Sequence, residues 1–427
     1  MMNSDSLPES ALPKGVRDFL PLKAAKVEYL QHQLRQVMED WGFRPVITPQ
    51  LEFFDLLEKG LGGDLHARAF RFDDRQSGRL LAFPPDITPQ IARIAATRMR
   101  ELPLPLRLCY SGKVLRHTEE QAGKDREIFQ VGVELIGLSQ PEADAEMISM
   151  ALECLRRSGA KDFTIDIGQV EFFRGVMDAL SLSPALARRV AGAIGRKDST
   201  ELKALLDEGQ VDESAREEVL ALPRLFGGRE VLERAAKLVK NQRSQRALDN
   251  LTQVLALLDQ SGISEQVTFD LGELRGLDYH TGITFQGFLQ GYGQAVCSGG
   301  RYDGLMASYG SPAPATGFTF DLLNLLFALD RSLEDQVKPE IDLLVYACKD
   351  AVMRAQQLTP KLREAGFSAA RDMIDRSIDE ALAYAQLMNY RRLLVVPLGD
   401  AELRLIDPNT KQEDSLTLAE LLQGKEL

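Results

Sequence analysis

The stretch that decides the fold is GELRGLDYHTGITFQGF, residues 272–288, and it is followed closely by SGGRYDGL, residues 298–305. The first segment places the cation of Arg275 beside a glycine and just ahead of Asp278 and Tyr279. Glycine lets the backbone approach a ligand, and a guanidinium group can donate two hydrogen bonds to one carboxylate or phosphate. The pattern therefore predicts the wall of a small-molecule pocket. Either segment alone fits a glycine-punctuated hairpin of a β-rich sheet equally well.

The overall composition is that of a soluble globular protein. The chain has 427 residues, of which 44% are hydrophobic and 27% are charged, and this length allows two or three domains. The first residues lack a basic region followed by an apolar run. No later stretch reaches the roughly 18 uncharged apolar residues that cross a bilayer. We therefore expect a cytoplasmic protein.

Cysteine spacing and net charge argue against three other classes of site. The four cysteines, Cys109, Cys154, Cys297 and Cys348, lie far apart, without CxxC spacing or a paired set of histidine ligands. That spacing argues against a zinc site and against a disulfide framework, so we expect reduced thiols and no metal. A net charge of −12 gives no overall attraction to nucleic acid, although a local basic groove is compatible with it.

The N-terminal part alternates helical and extended patterns. Apolar residues recur at helical spacing from about residue 22 to 41, and the chain becomes extended at residues 43–57. A hairpin that turns at residues 73–78 precedes a helix that begins near Asp86 or Thr88. Both are ordinary N-cap residues, so the local sequence favours a capping role for them over a role in a pocket.

A polar floor is predicted further along the chain. Two β-like runs flank a charged loop at residues 116–127, which predicts an antiparallel pair with a loop placed to clamp a ligand. On the second run Gln130, Gly132 and Glu134 are spaced by two, so they point to the same face. These residues predict the floor of a polar pocket. The alternative is a solvated face, the commoner fate of alternating polar positions in an antiparallel sheet.

The pattern of strands and helices divides the chain into three parts. Residues 173–262 are helical in character and interrupt two strand-rich segments, as an inserted domain would. The strand-rich segments, residues 1–172 and 263–332, form the predicted core domain. Residues 338–427 alternate strands with helices, which predicts a small α/β domain with a mostly parallel sheet.

Together these segments resemble the class II aminoacyl-tRNA synthetases, and among them the histidyl-tRNA synthetase group. The resemblance covers nearly the whole chain and rests on KGVRDFLP (14–21), GFRPVITPQLE (42–52), LRHTEEQAGKDREIFQVGVELIG (115–137), RGLDYHTG (275–282) and SGGRYDGL (298–305). The last two segments are the most specific, since they are peculiar to the histidine group. The resemblance implies an α+β fold in which helices pack on an antiparallel six-stranded sheet, and a protein that is normally dimeric.

The resemblance also implies a histidine pocket. Its residues in this sequence are Asp86, Thr88, Arg116, Gln130, Glu134, Arg275, Tyr279 and His280. Asp86 stands where the family has a glutamate that takes the substrate ammonium, and Arg275 matches the catalytic arginine beside the substrate carboxylate. Thr88, Gln130 and Glu134 match the positions that hold the amino group and the imidazole. His280 replaces the second of two pocket aromatics.

The ATP side of the resemblance is incomplete. Thr118 stands where the second class II motif has an acidic residue that contacts adenine. Leu323 and Asn324 stand where the third motif has an acidic residue and an arginine that grips the distal phosphate. Losing one guanidinium from a phosphoryl-transfer clamp costs about 10³-fold or more in rate. A retained pocket with a lost clamp predicts a histidine sensor without catalysis and without a cofactor.

One further segment points to a particular group within this family. PPDITPQIARIAA, residues 84–96, is similar to the regulatory subunits of ATP phosphoribosyltransferase, more than to true synthetases. That group implies a subunit that binds the short catalytic subunit, supports the first step of histidine biosynthesis and transmits feedback by histidine, with no role for tRNA. Two alternatives stay open, an active histidyl-tRNA synthetase with a relaxed third motif and a free-standing amino-acid-binding module.

Overall fold

The computed structural model describes residues 12–117, 125–272, 279–334, 336–337, 341–399 and 401–423. The chain divides into two units, Met1–Glu334 and Asp335–Leu427. Each unit has its own buried apolar clusters. Within the described residues, no helix is both long and apolar enough to cross a membrane.

The helices of the described residues, in chain order, are α1 Pro21–Asp40, α2 Phe54–Leu57, α3 Gly63–Arg68, α4 Thr88–Arg98, α5 Pro141–Arg157, α6 Val170–Asp178, α7 Pro184–Gly195, α8 Ser199–Glu208, α9 Glu213–Ala221, α10 Glu230–Leu238, α11 Gln242–Gln260, α12 Leu322–Leu329, α13 Val352–Glu364, α14 Ile378–Leu387 and α15 Leu418–Leu422. Those up to α12 belong to the first unit, and the last three belong to the second.

The strands are β1 Arg44–Pro45, β2 Glu52–Phe53, β3 Arg71–Asp73, β4 Leu80–Ala82, β5 Leu106–Leu115, β6 Glu127–Ile136, β7 Phe163–Gln169, β8 Phe226–Gly227, β9 Val267–Asp270, β10 Ile283–Leu289, β11 Cys297–Arg301, β12 Ala315–Asp321, β13 Ile341–Ala347, β14 Ala369–Arg371, β15 Tyr390–Val396, β16 Leu403–Ile406 and β17 Glu413–Leu416. Strands β2, β4 and β3 form a small sheet of their own.

A nine-stranded sheet organises the first unit, in the order β1-β5-β6-β12-β11-β10-β7-β9-β8. Six consecutive strands of this order, from β5 to β7, pair antiparallel with one another. Strand β1 joins β5 in parallel and β9 joins β7 in parallel, so the complete sheet is mixed. The predicted α+β class and the antiparallel six-stranded core are confirmed.

One face of this sheet is covered by helices. Helix α1 begins with Pro21, whose fixed φ suits the first helical turn, and the chain leaves it through Gly42 at a positive φ of 82°. Its apolar side chains at i, i+3, i+4 and i+7, such as Leu30, Leu34 and Val37, are fully buried. Helix α1 packs against α5, and α5 packs against β10, β11 and β12. The opposite face carries α4, which packs against Leu108 and Tyr110 of β5, and beside it the cavity of the site.

The helices α6 to α11 lie between β7 and β9 and belong to the same unit as the sheet. Polar side chains start several of them, since Ser183, Asp198, Asp212 and Asn241 each accept a hydrogen bond from a backbone N–H of the first turn. Their separation as a domain at residues 173 and 262 stays a prediction.

The second unit is built on a five-stranded sheet in the order β14-β13-β15-β16-β17. Strands β14, β13 and β15 are parallel, as the sequence predicts, and helices α13 and α14 pack on them. Strands β16 and β17 add an antiparallel hairpin that the sequence analysis missed. Its turn is held by the carboxylate of Asp407, which accepts hydrogen bonds from the backbone N–H groups of Asn409 and Thr410.

Candidate functional site

A cavity of about 510 Å³ lies on the face of the nine-stranded sheet. That volume is within the range of small-molecule sites in proteins, about 300–1,000 Å³. Of the predicted site residues, the structure brings together Asp86, Thr88, Arg116, Gln130, Glu134, Tyr279 and His280 around this cavity. Arg275 and Thr118 lie outside the described residues, and their roles stay predictions.

The floor of the cavity is a row of residues in register across five strands. Gly168 pairs with Thr284, Thr284 with Gly300, Gly300 with Gly317, and Gly317 with Glu134. A Cβ atom on Gly317 would lie 1.9 Å from Oε2 of Glu134, and one on Gly300 would lie 2.8 Å from the ring of His280. The bare backbone therefore makes room for both side chains, and the cavity depends on it.

One wall is formed by the loop that leads into α4. The side-chain amide of Gln130 donates to Oδ1 of Asp86 at 2.9 Å, and its carbonyl oxygen accepts from the backbone N–H of Ile87 at 3.0 Å. Gln130 thus fixes the loop and the acid together. The capping role favoured for Asp86 and Thr88 is wrong. The N-cap of α4 is Ile87, without a side-chain hydrogen bond, because both polar side chains turn into the cavity instead.

Glu134 is the most deeply placed carboxyl group of the site, with 1% of the residue exposed. It accepts hydrogen bonds from the hydroxyl groups of Thr88 at 2.7 Å and Tyr110 at 3.3 Å, and the hydroxyl of Tyr302 donates to its other oxygen. Burial raises the pKa of Glu134 to about 8, although these hydroxyl groups lower it and Asp86 adds to the increase. The solvated-face alternative for this strand is therefore wrong.

Aromatic side chains form the second wall. Tyr279 stacks on His280 with ring centroids 4.2 Å apart and planes 28° from parallel. Tyr279 also lies near Tyr302, at 6.2 Å between centroids. Burial raises the pKa of Tyr279 above its usual range, so its hydroxyl stays neutral. Flat rings on one side and carboxyl groups on the other suit a ligand that carries a planar nitrogen heterocycle.

The cavity is acidic over its described lining. It contains the carboxyl groups of Asp64, Asp86, Glu134, Asp166 and Asp270. Arg116 is the one lysine or arginine among the lining residues that the structure describes, and its Nε donates to the carbonyl of Pro85 at 2.7 Å. This charge balance favours a ligand with a positively charged group.

A smaller cavity of about 180 Å³ adjoins the first and shares Arg116 and Gln130 with it. Asn324 lies on its wall, where the side-chain amide donates to the carbonyl of Ala295 at 3.0 Å and the oxygen accepts from the hydroxyl of Tyr292 at 3.0 Å. Asp321 accepts from two backbone N–H groups at the start of α12. The side chain of Asn324 is therefore held by neutral partners and brings no positive charge to this cavity.

In the segment SGGRYDGL, the neighbouring residues Arg301 and Tyr302 have different roles. Arg301 pairs with Asp144 at 3.0 Å, away from the cavity, and donates to the carbonyl of Leu138 at 2.9 Å, so it anchors the start of α5. Tyr302 lines the cavity and is one of the residues that the sequence analysis missed. Its spacing of two from Gly300 on an extended segment is the signal that could have found it.

Known proteins place the chain in a family. A family model of histidyl-tRNA synthetase matches residues 15–325. An ATP phosphoribosyltransferase regulatory subunit of Syntrophotalea carbinolica is 58% identical over 98% of both chains. A second one, of Geobacter sulfurreducens, is 55% identical over 98% of this chain and 96% of its own. The chain belongs to the ATP phosphoribosyltransferase regulatory subunit family.

Solved structures agree with this family. An ATP phosphoribosyltransferase regulatory subunit/histidyl-tRNA synthetase from Bacillus halodurans superposes with a TM-score of 0.82 at 28% identity, covering 92% of this chain and all of that one. A histidyl-tRNA synthetase from Nostoc superposes with a TM-score of 0.81 at 20% identity, over 98% of this chain and 99% of that one. The second likeness shows that this chain shares the fold of that synthetase.

Proposed function

We propose that this chain is a non-catalytic regulatory subunit of ATP phosphoribosyltransferase. It binds the short catalytic subunit, is required for the activity of that subunit in the first step of histidine biosynthesis, and transmits feedback inhibition by histidine. The observation that carries the proposal is the 58% identity to a regulatory subunit along 98% of both chains. The proposal includes a cytoplasmic location, in keeping with a role as a subunit of a biosynthetic enzyme.

The side chains around Asn324 support a role without adenylation. A synthetase must neutralise charge on the phosphates of ATP, which calls for guanidinium groups or metal ions. Asn324 donates to a backbone carbonyl and accepts from a tyrosine hydroxyl, so its amide is already engaged. The resemblance implies that class II synthetases have the arginine of their third motif at this position. The loss of that cation removes about 10³-fold or more in rate.

The geometry of the larger cavity supports histidine as the ligand. The carboxylate of Asp86, fixed by Gln130, is placed to receive the ammonium group. Glu134 lies deeper, where it can bond an imidazole nitrogen, and the stacked rings of Tyr279 and His280 can face the imidazole plane. Arg116 and Arg275 are the proposed partners of the ligand carboxylate. Feedback then requires that histidine bind one state of the assembly more tightly than another.

Self-association as a dimer belongs to the same proposal. Strand β1 lies at one edge of the nine-stranded sheet and is followed by Ile47, which is 92% exposed. Leu51, close by in the chain, is also exposed. An unpaired edge beside exposed apolar side chains is a surface that a second copy can cover.

Mixing experiments with a short-form catalytic subunit test the proposal. We expect ATP phosphoribosylation to start, or to rise strongly, when the purified chain is added, and to fall when histidine is added. A Glu134→Gln variant is the matched control, which should activate equally well and require more histidine for inhibition. An unchanged rate on mixing, with and without histidine, would refute the proposed function.

The match to the histidyl-tRNA synthetase model keeps active synthetase as the second candidate. Histidine-dependent exchange between ATP and pyrophosphate by the purified chain separates the two. We expect no exchange above background. Exchange that an Arg275→Ala substitution abolishes would favour the synthetase.

A further inference from the structure

The inference concerns the protonation of Glu134 and rests on the proposed histidine pocket. The carboxyl group lies at the bottom of the cavity, and its partners in the described structure are three neutral hydroxyl groups, those of Thr88, Tyr110 and Tyr302. Each hydroxyl can donate to a carboxylate and can also accept from a carboxylic acid. The three hydroxyl groups can therefore bond Glu134 in either of its protonation states without moving.

The charged and titratable groups that face Glu134 come from every element packed around it. They are Asp86 from the loop before α4, Tyr110 from β5, Tyr302 after β11, and Tyr279 and His280 from the segment before β10. The Nε of Arg116 donates to the carbonyl of Pro85, and the hydrogen-bond partners of Glu134 among the described residues are Thr88, Tyr110 and Tyr302. Near Glu134 the described groups thus include a second acid but no arginine or lysine that bonds it.

A carboxyl group in such surroundings keeps its proton at neutral pH. Taking a carboxylate out of water without a cation is costly, and the negative charge of Asp86 adds to the cost. The pKa of about 8 agrees with this geometry. The empty cavity therefore contains a proton on Glu134, while the imidazole of free histidine, with a pKa of about 6.5, is mostly neutral at pH 7.

We propose that Glu134 donates this proton in a hydrogen bond to the neutral imidazole of the incoming histidine, so that the carboxyl group and the ligand share one proton in the complex. No covalent bond is broken in this step, and no proton enters or leaves the complex. A buried pair that keeps the proton has no net charge, whereas a carboxylate against a neutral imidazole would leave an uncompensated charge in the cavity.

The proposal fixes the pH dependence of histidine binding. Between about pH 6.5 and 8 the empty site and the free ligand together hold one proton, as does the complex, so the affinity is constant. Above pH 8 the empty site has lost its proton and binding must take one up, so the affinity falls up to tenfold per pH unit. Below pH 6.5 free histidine is protonated as well, and the affinity falls again.

Calorimetric titration of the full chain with L-histidine near pH 7.2 is the direct test. The titration is run in phosphate and in Tris, whose ionisation enthalpies differ, so that the difference in heat reports protons exchanged with the buffer. We expect a value close to zero. Release of about one proton per histidine would overturn the shared proton while leaving the histidine pocket intact. Absence of any binding heat in both buffers, with no histidine effect on the catalytic subunit, would overturn the pocket as well.

Two variants supply the controls. Glu134→Gln keeps the shape and a hydrogen-bonding amide but has no proton to lose, so the ratio of wild-type to variant affinity should drop about fivefold from pH 8 to pH 9. A ratio that stays constant would contradict the proposal. Tyr302→Phe removes a donor that stabilises the carboxylate, so the decline of affinity at high pH should begin at a higher pH than in the wild type. A shift to lower pH would contradict it.

Discussion

Truncating a single side chain of the cavity measures its contribution to ligand binding. Glu134→Ala removes the carboxyl group and leaves three hydroxyl groups around an empty space. Hydrogen bonds to charged groups contribute about 1.5–3 kcal/mol, so we expect histidine affinity to fall by that amount. Titration of the variant and the wild type with histidine measures it. Equal affinities would show that the ligand does not reach Glu134.

Arg301 illustrates a residue whose importance is structural. Its guanidinium is buried and pairs with the buried carboxylate of Asp144. Removing one partner of such a pair leaves an uncompensated charge, so Arg301→Ala should lower the free energy of unfolding by about 3–5 kcal/mol. Arg189→Ala is the matched control, because Arg189 and Glu208 form an exposed pair worth about 1 kcal/mol or less. Urea unfolding measures both, and equal losses would contradict the assignment.

The sequence predicted the positions of some site residues correctly and the roles of others wrongly. Alternation placed Gln130 and Glu134 on one face, because the period of two holds for any extended strand. It could not assign Asp86 and Thr88, since a cap and a pocket wall need the same polar residue types. Only the partners that the fold supplies, Gln130 and Glu134, decided between these roles.

Strand β12 packs closely against β6 because Gly317 has no side chain. A methyl group on Gly317 would lie 1.9 Å from Oε2 of Glu134 and 2.3 Å from the carbonyl oxygen of Val133. Gly317→Ala should therefore push β12 from β6, lower the free energy of unfolding by about 1–3 kcal/mol and weaken histidine binding at least tenfold. Gly293→Ala is the control, because its Cβ would meet no atom within 4 Å. Unfolding and titration together measure the effect, and equal behaviour of the two variants would refute it.

Elements differed in how readily the sequence disclosed them. Helix α1 was predicted because its apolar face repeats with helical spacing over five turns. The hairpin β16–β17 was missed because each strand has four residues, too few for a period to stand out. The two-residue strands β1 and β2 exist only through pairing with distant partners, β5 and β4, which no local pattern contains.

Stability of the whole molecule should respond to pH through Glu134. Its pKa is about 8 in the folded chain, against about 4.5 for an exposed glutamate, so the folded state holds a proton that the unfolded state has lost between these values. The contribution of Glu134 is complete below pH 4.5 and is lost as the pH rises through 8, by at most about 1.4 kcal/mol per pH unit. The stability of the wild type relative to Glu134→Gln should therefore decrease from pH 5.5 to 8 in urea unfolding. An increase would contradict the assignment.

Assembly is the second property of the whole molecule that can be tested. Ile47→Glu places a charge beside the exposed edge strand, so we expect it to shift the proposed dimer towards monomers. Leu387→Glu, a change at a side chain that is 80% exposed on α14, is the control and should leave the mass unchanged. Light scattering over a range of concentrations measures both. A mass unaffected by either substitution would move the proposed interface elsewhere.

The strand order of the whole molecule could be predicted from the family resemblance but not from local sequence patterns. The order of the nine strands depends on pairings such as β6 with β12, far apart in the chain, and no local propensity specifies them. The motifs specified them indirectly, since each marks a known place in one fold. Tyr302 could be identified as a site residue only in the folded chain, where its hydroxyl donates to Glu134.

The glycine row under the cavity has a consequence for how the protein matures. Its members stand at positions 168, 300 and 317, and the row ends at residue 134, so the floor forms only after chain segments made early and late have paired. Such non-local pairings form slowly, because a long loop must close before any contact rewards it. A chain that is still leaving the ribosome, or one cut before β12, has no floor on which to bind a ligand. Binding of a ligand at the proposed site thus requires that all five strands of the floor have paired.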